Sequence, residues 1–315
     1  MGRHDVPHWV DRAVERPARQ ADLTDRLAPE AWFPAGRDDI AVQRVRLADG
    51  LTQRVLVAGP VTGPPLLLLH GWAVSAYLWR ATIPALAAAG FRVYAPDLPG
   101  HGLSDAPQEK GSYSVETFTE RALMLCDALA LGNVQVIGQS MGGRIAMEMV
   151  FRAPTRVSRV ALFGPVGFGD IPPGQTFAPF LPSLPGTLPS LLVTRQMVDI
   201  VQRRVWGKIG WFTERDVDEY WAPSQFPDVV RAQLQMLREF EWAPIADDRL
   251  RAVSTPALVV FGTQDRTVRP VHAERLAGVL PQGRLEWIEG GGHVVMEEVP
   301  EQVNRMLLGF LAKTG

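Results

Sequence analysis

Six short, mostly apolar runs recur along the chain, at Leu66–Leu69, Phe91–Ala95, Val134–Ile137, Val157–Phe163, Ala257–Phe261 and Leu285–Ile288. Continuous apolar runs of this length read as strands covered on both faces. Segments of helical character separate most of them, at about 77–89, 114–131, 141–153, 271–279 and 295–312. Strand, helix and strand repeated this often leave few solutions. The pattern predicts an α/β fold, a mostly parallel doubly wound sheet with helices on both faces. Ahead of it, two β-rich runs from Ala41 and from Leu51 to Ala58 flank Asp49-Gly50, a hairpin turn signal.

One interval breaks the rhythm. Between Phe163 and Ala257 no buried-strand run occurs, and the interval opens with Pro165, Pro172, Pro173, Pro179, Pro182, Pro185 and Pro189. Helical spacing follows, through Leu191, Leu192, Arg195, Gln196, Val198 and Asp199 and again from Val229 to Phe240. A helical insert over one edge of the sheet is the simplest reading. The expected division is an N-terminal arm at 1–38, a core at 39–164 and 246–315, and a helical cap at 165–245.

Hydrophobic residues make up 46% of the 315 positions and charged ones 21%, which excludes a disordered chain. Thirty-two basic residues against 34 acidic ones give a net charge of −2 with no run of one sign, so no nucleic-acid partner is expected. No uncharged apolar stretch approaches the roughly 20 residues a membrane span needs. The N-terminus carries no apolar core of a signal peptide, so a cytoplasmic location is expected. Cys126 is the single cysteine, which excludes an internal disulfide and any multi-cysteine metal site; its setting suggests a buried, inert thiol on a helix. No dinucleotide, phosphate, zinc or calcium loop pattern occurs, so no cofactor-binding or metal-binding residues are expected.

The run Val134–Ile137 leads into Gly138-Gln139-Ser140-Met141-Gly142-Gly143, with helical residues directly after. Gly-x-Ser-x-Gly between a strand and a helix is the setting of a nucleophile elbow. The turn is sharp enough to strain Ser140, and side chains at positions 138 and 142 would clash where helix and strand nearly touch. A serine hydroxyl needs a base, and the base an orienting acid. His4 and His8 lie in the arm, His272 near a helix start, and His70 and His101 in loops they more plausibly order than serve chemically. His293 follows Gly290-Gly291-Gly292 after the last strand, where a loop can bend over the sheet edge. Asp265 closes the strand before it and is the expected acid. Asp170 is a rival inside the proline-rich interval, and Asp97 ends a strand but suits loop anchoring better. Two backbone N–H groups should meet the developing oxyanion: those of Met141, after the nucleophile, and of Trp72, in the loop after Leu66–Leu69.

From Ile40 to its end the chain resembles the α/β-hydrolase superfamily. The resemblance is carried by His70-Gly71-Trp72, Asp97-Leu98-Pro99-Gly100-His101-Gly102-Leu103-Ser104-Asp105, the Ser140 elbow, Gly262-Thr263-Gln264-Asp265 and Gly291-Gly292-His293. It implies a Ser140–His293–Asp265 triad and a helical cap. Epoxide hydrolases and haloalkane dehalogenases carry aspartate at the elbow, so those activities are not expected here. Carbon–carbon bond hydrolases of ring-cleavage pathways typically carry tryptophan after the catalytic histidine, where this chain has Val294. The elbow and the His-Gly-Trp loop also look like those of cofactor-free haloperoxidases. The expected activity is hydrolysis of small apolar carboxylic esters or lactones through an acyl-enzyme. The alternatives are the same triad on another bond, as in a C–C hydrolase, perhydrolase, amide hydrolase, thioesterase or acyltransferase, or a receptor without turnover. Eleven aromatics in or beside 165–245, among them Trp206, Trp211, Trp221 and Trp242, would mostly pack the insert while some line an apolar pocket.

Overall fold

In the computed structural model, residues 32–169 and 193–312 are described. Eight strands form one sheet: β1 Ile40–Arg46, β2 Thr52–Ala58, β3 Pro65–Leu69, β4 Arg92–Pro96, β5 Val134–Gln139, β6 Val157–Phe163, β7 Ala257–Gly262 and β8 Gly283–Ile288. They lie in the order β1-β2-β4-β3-β5-β6-β7-β8. Only β2 runs against the rest, pairing antiparallel with both β1 and β4. The chain moves from β3 outward to β4, then returns to the other side of β3 with β5. That reversal opens a crevice at the carboxyl ends of β3 and β5, where doubly wound sheets bind ligands.

Five of the six apolar runs are strands covered from both sides; the sixth, Leu285–Ile288, falls on the outer strand β8, where only Ile288 is buried. Leu66, Leu67, Leu68 and Leu69 are all fully buried, yet Leu67 and Leu69 join the core on one face while Leu66 and Leu68 join that on the other. β7 splits likewise, Val259 and Phe261 against Leu258 and Val260. Each such leucine contributes about 1.5–3 kcal/mol by leaving water. The first face is covered by α2 Val115–Ala128, α3 Met141–Arg152 and, further on, Ala273–Val279; the second by α1 Thr82–Ala88 and the C-terminal helix Pro300–Leu311. Cys126 is buried in α2, and burial pushes its thiol up to about 11, which keeps it protonated and unreactive at neutral pH.

Two predicted helices are each interrupted, and proline is the reason both times. In the segment expected at 77–89, a 3₁₀ turn at Ala76–Trp79 is followed by a separate α1, because Pro84 has no N–H for a bond to Arg80 and would crowd its carbonyl. The segment expected at 295–312 breaks at Val299 (φ −138°, ψ 62°), pushed out of the helical region by Pro300. The outermost strands, β1 and β8, are the least buried. Gln43 and Arg44 stand exposed on β1, and Arg284 pairs with Glu286 on β8.

Between β6 and β7 the described chain is helical: α4 Arg195–Val205, α5 Glu214–Trp221, α6 Pro227–Glu239 and the short α7 Asp247–Arg251. Each of α4 and α5 starts at a threonine whose hydroxyl accepts a backbone N–H, and Thr213 with Asp216 closes a full capping box. α6 reaches the loops that follow β3 and β4. The Trp72 indole donates to the Gln233 carbonyl (3.1 Å), and a Cβ on Gly100 would lie 2.5 Å from Met236. Asp170, Phe177, Phe180, Leu191 and Leu192 lie outside the described residues, as does the arm up to residue 31. Trp32 and Phe33, at the arm's end, are buried; Phe33 meets Tyr77 edge-on, and its N–H donates to Glu219 (3.1 Å). After β7, α8 Ala273–Val279, α9 Val295–Glu298 and α10 Pro300–Leu311 are the remaining α-helices among the described residues.

Candidate active site

β5 delivers Ser140 into the crevice with φ 53° and ψ −116°, backbone that side chains rarely adopt. The conformation is held from three sides. Ser140 donates its N–H to the Phe163 carbonyl (2.9 Å), and its own carbonyl accepts from Gly143 (3.0 Å) and Val166 (3.2 Å). The glycines around it are required by contact: a Cβ at Gly138 would fall 2.4 Å from the Gly142 carbonyl oxygen, and one at Gly142 would fall 2.2 Å from that of Leu69.

His293 Nδ1 lies 2.7 Å from Asp265 Oδ2, with both side chains almost fully buried. The other Asp265 oxygen accepts the N–H groups of Thr267 (2.8 Å) and Val268 (2.9 Å), so the carboxylate cannot swing away from the imidazole. The pair and the serine share neighbours. Gln139, the residue before Ser140, donates its amide to the His293 carbonyl (3.2 Å), and Gly164, next to the Phe163 carbonyl that holds Ser140, backs onto Asp265 and His293.

Met141 is the first residue of α3, so its N–H is one of the unpaired donors of a helix start. Trp72 lies in the loop after β3, and its N–H meets no acceptor among the described residues. Gly71 brings that loop against the elbow, its Cα facing the Ser140 side chain and Gln139.

His70 and His101 order this loop. His70 accepts from the Leu98 N–H at Nε2 (2.9 Å), which leaves Nδ1 as the donor to the Gly71 carbonyl (2.8 Å). His101 packs edge-on against His70 with ring centres 4.9 Å apart and bonds the Pro99 carbonyl. Burial holds both imidazoles below the usual histidine range, so both stay neutral. Asp97 anchors three segments: its carboxylate accepts Arg54 Nη1 (3.0 Å), the Leu103 N–H (3.0 Å) and the Ala76 N–H (2.8 Å).

Several buried charges carry no local sequence signal. Arg80 pairs with Asp216 (2.7 Å) and with Glu297; Tyr77 donates to Asp216 (2.8 Å) and Tyr220 to Glu297 (2.5 Å). Burial pushes the Glu297 carboxyl up to about 7, with Arg80 pulling the other way. Glu298, beside it, accepts the N–H groups of Gly292 (2.8 Å) and Gly207 (2.8 Å). No group of three or more histidine, cysteine or acidic side chains fit to hold a metal occurs among the described residues. No helix there is long and apolar enough to cross a membrane.

Residues 66–306 match the alpha/beta hydrolase family, and the chain belongs to it. Over 267 residues it is 33% identical to the magnesium-chelatase 30 kDa subunit of Rhodobacter capsulatus, covering 82% of this chain and 90% of that protein. It is 32% identical to the dihydrolipoyllysine-residue acetyltransferase component of the acetoin cleaving system of Pseudomonas putida, across 95% of this chain and 79% of that one. Among solved structures, 2-hydroxy-6-oxo-6-phenylhexa-2,4-dienoate hydrolase from Rhodococcus sp. strain RHA1 superposes with a TM-score of 0.74 at 26% identity, covering 87% of this chain and 100% of that one. The chain is thus an α/β-hydrolase with a mostly parallel, helix-flanked sheet.

Proposed function

We propose that this hydrolase cleaves small apolar carboxylic esters or lactones in the cytoplasm, with Ser140 as nucleophile, His293 as general base and acid, and Asp265 as orienting acid. One observation carries the reading: the 2.7 Å contact of His293 with Asp265, linked through Gln139 and Gly164 to a serine in strained, turn-held backbone. With Nδ1 committed to Asp265, Nε2 is the nitrogen left to take the Ser140 proton. Oγ then bonds to the ester carbonyl carbon, and the carbonyl electrons move onto oxygen, facing the N–H groups of Trp72 and Met141. Collapse expels the alcohol, which leaves with the proton from His293. Water, deprotonated by the same imidazole, attacks the acyl-enzyme; the acid is released and Oγ regains its proton. Residues 165–245 act as the cap over this site, on the body formed by 39–164 and 246–315 with the arm at 1–38.

A fluorophosphonate probe tests the machinery: the wild type should be labelled at Ser140, and Ser140→Ala should be unlabelled yet folded, with kcat lowered at least about 10³-fold. A folded wild type that resists labelling would favour a receptor without turnover. A second reading, carbon–carbon bond cleavage, draws support from the likeness to the phenylhexadienoate hydrolase. A panel of p-nitrophenyl esters, lactones and vinylogous diketones separates the two, since faster turnover of the diketones would replace the ester reading.

A further inference from the structure

We propose that Glu298 is a positioning residue for His293, which it holds by tying the histidine loop to the segment that follows α4; this rests on the reading of His293 given above. The carboxylate is buried at 7% exposure and sits between two stretches of chain about 90 positions apart. One oxygen accepts the Gly292 N–H at 2.8 Å; the other accepts the Gly207 N–H at 2.8 Å and the same Gly292 N–H at 3.0 Å. Two more bonds close the same clasp: the His293 N–H donates to the Val205 carbonyl and the Lys208 N–H to that of Gly290, each at 2.7 Å.

The stretches touch so closely that side chains would not fit. A Cβ at Gly292 would lie 2.4 Å from both the Gly207 nitrogen and the Val205 oxygen; one at Gly207 would lie 2.3 Å from the Gly290 oxygen. His293 therefore takes part of its backbone position from the segment after α4, beside the Gln139 amide on its carbonyl, while Asp265 holds its ring. Burial pushes the Glu298 carboxyl up, and the two N–H groups pull it back. A carboxylate suits this place because both its oxygens accept. A glutamine whose carbonyl oxygen faces Gly207 sets its NH₂ group against the Gly292 N–H, and one turned the other way loses the Gly207 bond, so either orientation weakens the clasp.

The test compares Glu298→Gln with Glu297→Gln, a change to the neighbouring buried carboxylate outside the clasp. Two readouts are the fluorophosphonate labelling rate at Ser140 and the far-downfield proton signal of His293 Nδ1–H. Glu298→Gln should stay folded, label at least about tenfold more slowly, and shift or broaden the downfield signal. Glu297→Gln should leave both within twofold of wild type or unmoved. Wild-type behaviour of Glu298→Gln, or equal slowing by Glu297→Gln, overturns the proposal. If Glu298→Gln does not fold, Gly207→Ala opens the clasp from the other side, and wild-type labelling there overturns it too. A wild type that is never labelled defeats the nucleophile reading instead, and the downfield signal still reports whether Glu298 orients His293.

Discussion

Gly142 stands so near the carbonyl of Leu69 that a Cβ would come within 2.2 Å of its oxygen. The helix after the elbow and the strand beside it are thus in backbone contact. Gly142→Ala should destabilise the protein by about 1–3 kcal/mol, because neither backbone can move aside. Gly309, in α10, has nothing within 4 Å of its Cβ position. Gly309→Ala should stabilise by roughly 0.5–1 kcal/mol. Urea unfolding of the two variants checks both signs at once.

Asp265→Asn preserves shape and removes the charge that faces His293 Nδ1. The amide can present an NH₂ group where the imidazole needs an acceptor, favouring the wrong tautomer. We expect a folded protein whose kcat falls by roughly 10³–10⁴-fold. Steady-state kinetics beside a thermal melt separates this from unfolding. A fall of less than tenfold would remove Asp265 from the proposed triad.

The Glu297 carboxyl titrates near 7 in the folded chain against an ordinary value of 4.5, chiefly because it is buried. Folding therefore takes up a proton between those two values. The stability this group contributes is complete below about 4.5 and is lost as the pH rises through 7. Glu297→Gln should flatten that slope. Melting temperatures of wild type and variant across pH 5–8 should converge at the acid end and separate toward the alkaline end. Parallel curves would refute the assignment.

The insert sequence is rich in aromatic rings, and most of the described ones are engaged. Trp206 packs on Phe212 and Trp242 on Phe240, the Trp221 indole donates to the Val193 carbonyl, and Trp211 is 74% exposed. The proposed preference for apolar acyl groups predicts that kcat/KM rises about fourfold per added CH₂ over the first few carbons, since each buried CH₂ is worth about 0.8 kcal/mol. Rates on p-nitrophenyl acetate through octanoate measure the slope. A flat series would leave the aromatics as packing alone.

What the sequence made legible is whatever depends on neighbours in the chain. The Ser140 elbow and the two-sided burial of Leu66–Leu69 are local, and both are readable from spacing. Both helix breaks were in principle visible as Pro84 and Pro300, whose steric rules override apolar periodicity. β8 was harder: it starts at Gly283, but as an outer strand only its last residue, Ile288, is buried, so its apolar signal is short. Glu297 and Glu298 were not legible. In Met296-Glu297-Glu298-Val299 they read as a helix's wet face, and the partners that bury them, Arg80 and Gly207, lie 217 and 91 positions away.

The two outer strands carry a consequence for handling the protein at high concentration. An open sheet ends in rows of unsatisfied amides and carbonyls that could template pairing with a second molecule. On β1, exposed Gln43 and Arg44 lie mid-strand, and on β8, the other outer strand among the described residues, Arg284 pairs with Glu286. Burying those guanidinium and carboxylate groups at a strand-to-strand seam would strip their water without supplying new partners. The margins of the sheet thus discourage fibrous self-association, and the hydrolase can keep an open, mostly parallel sheet without needing to close it into a barrel.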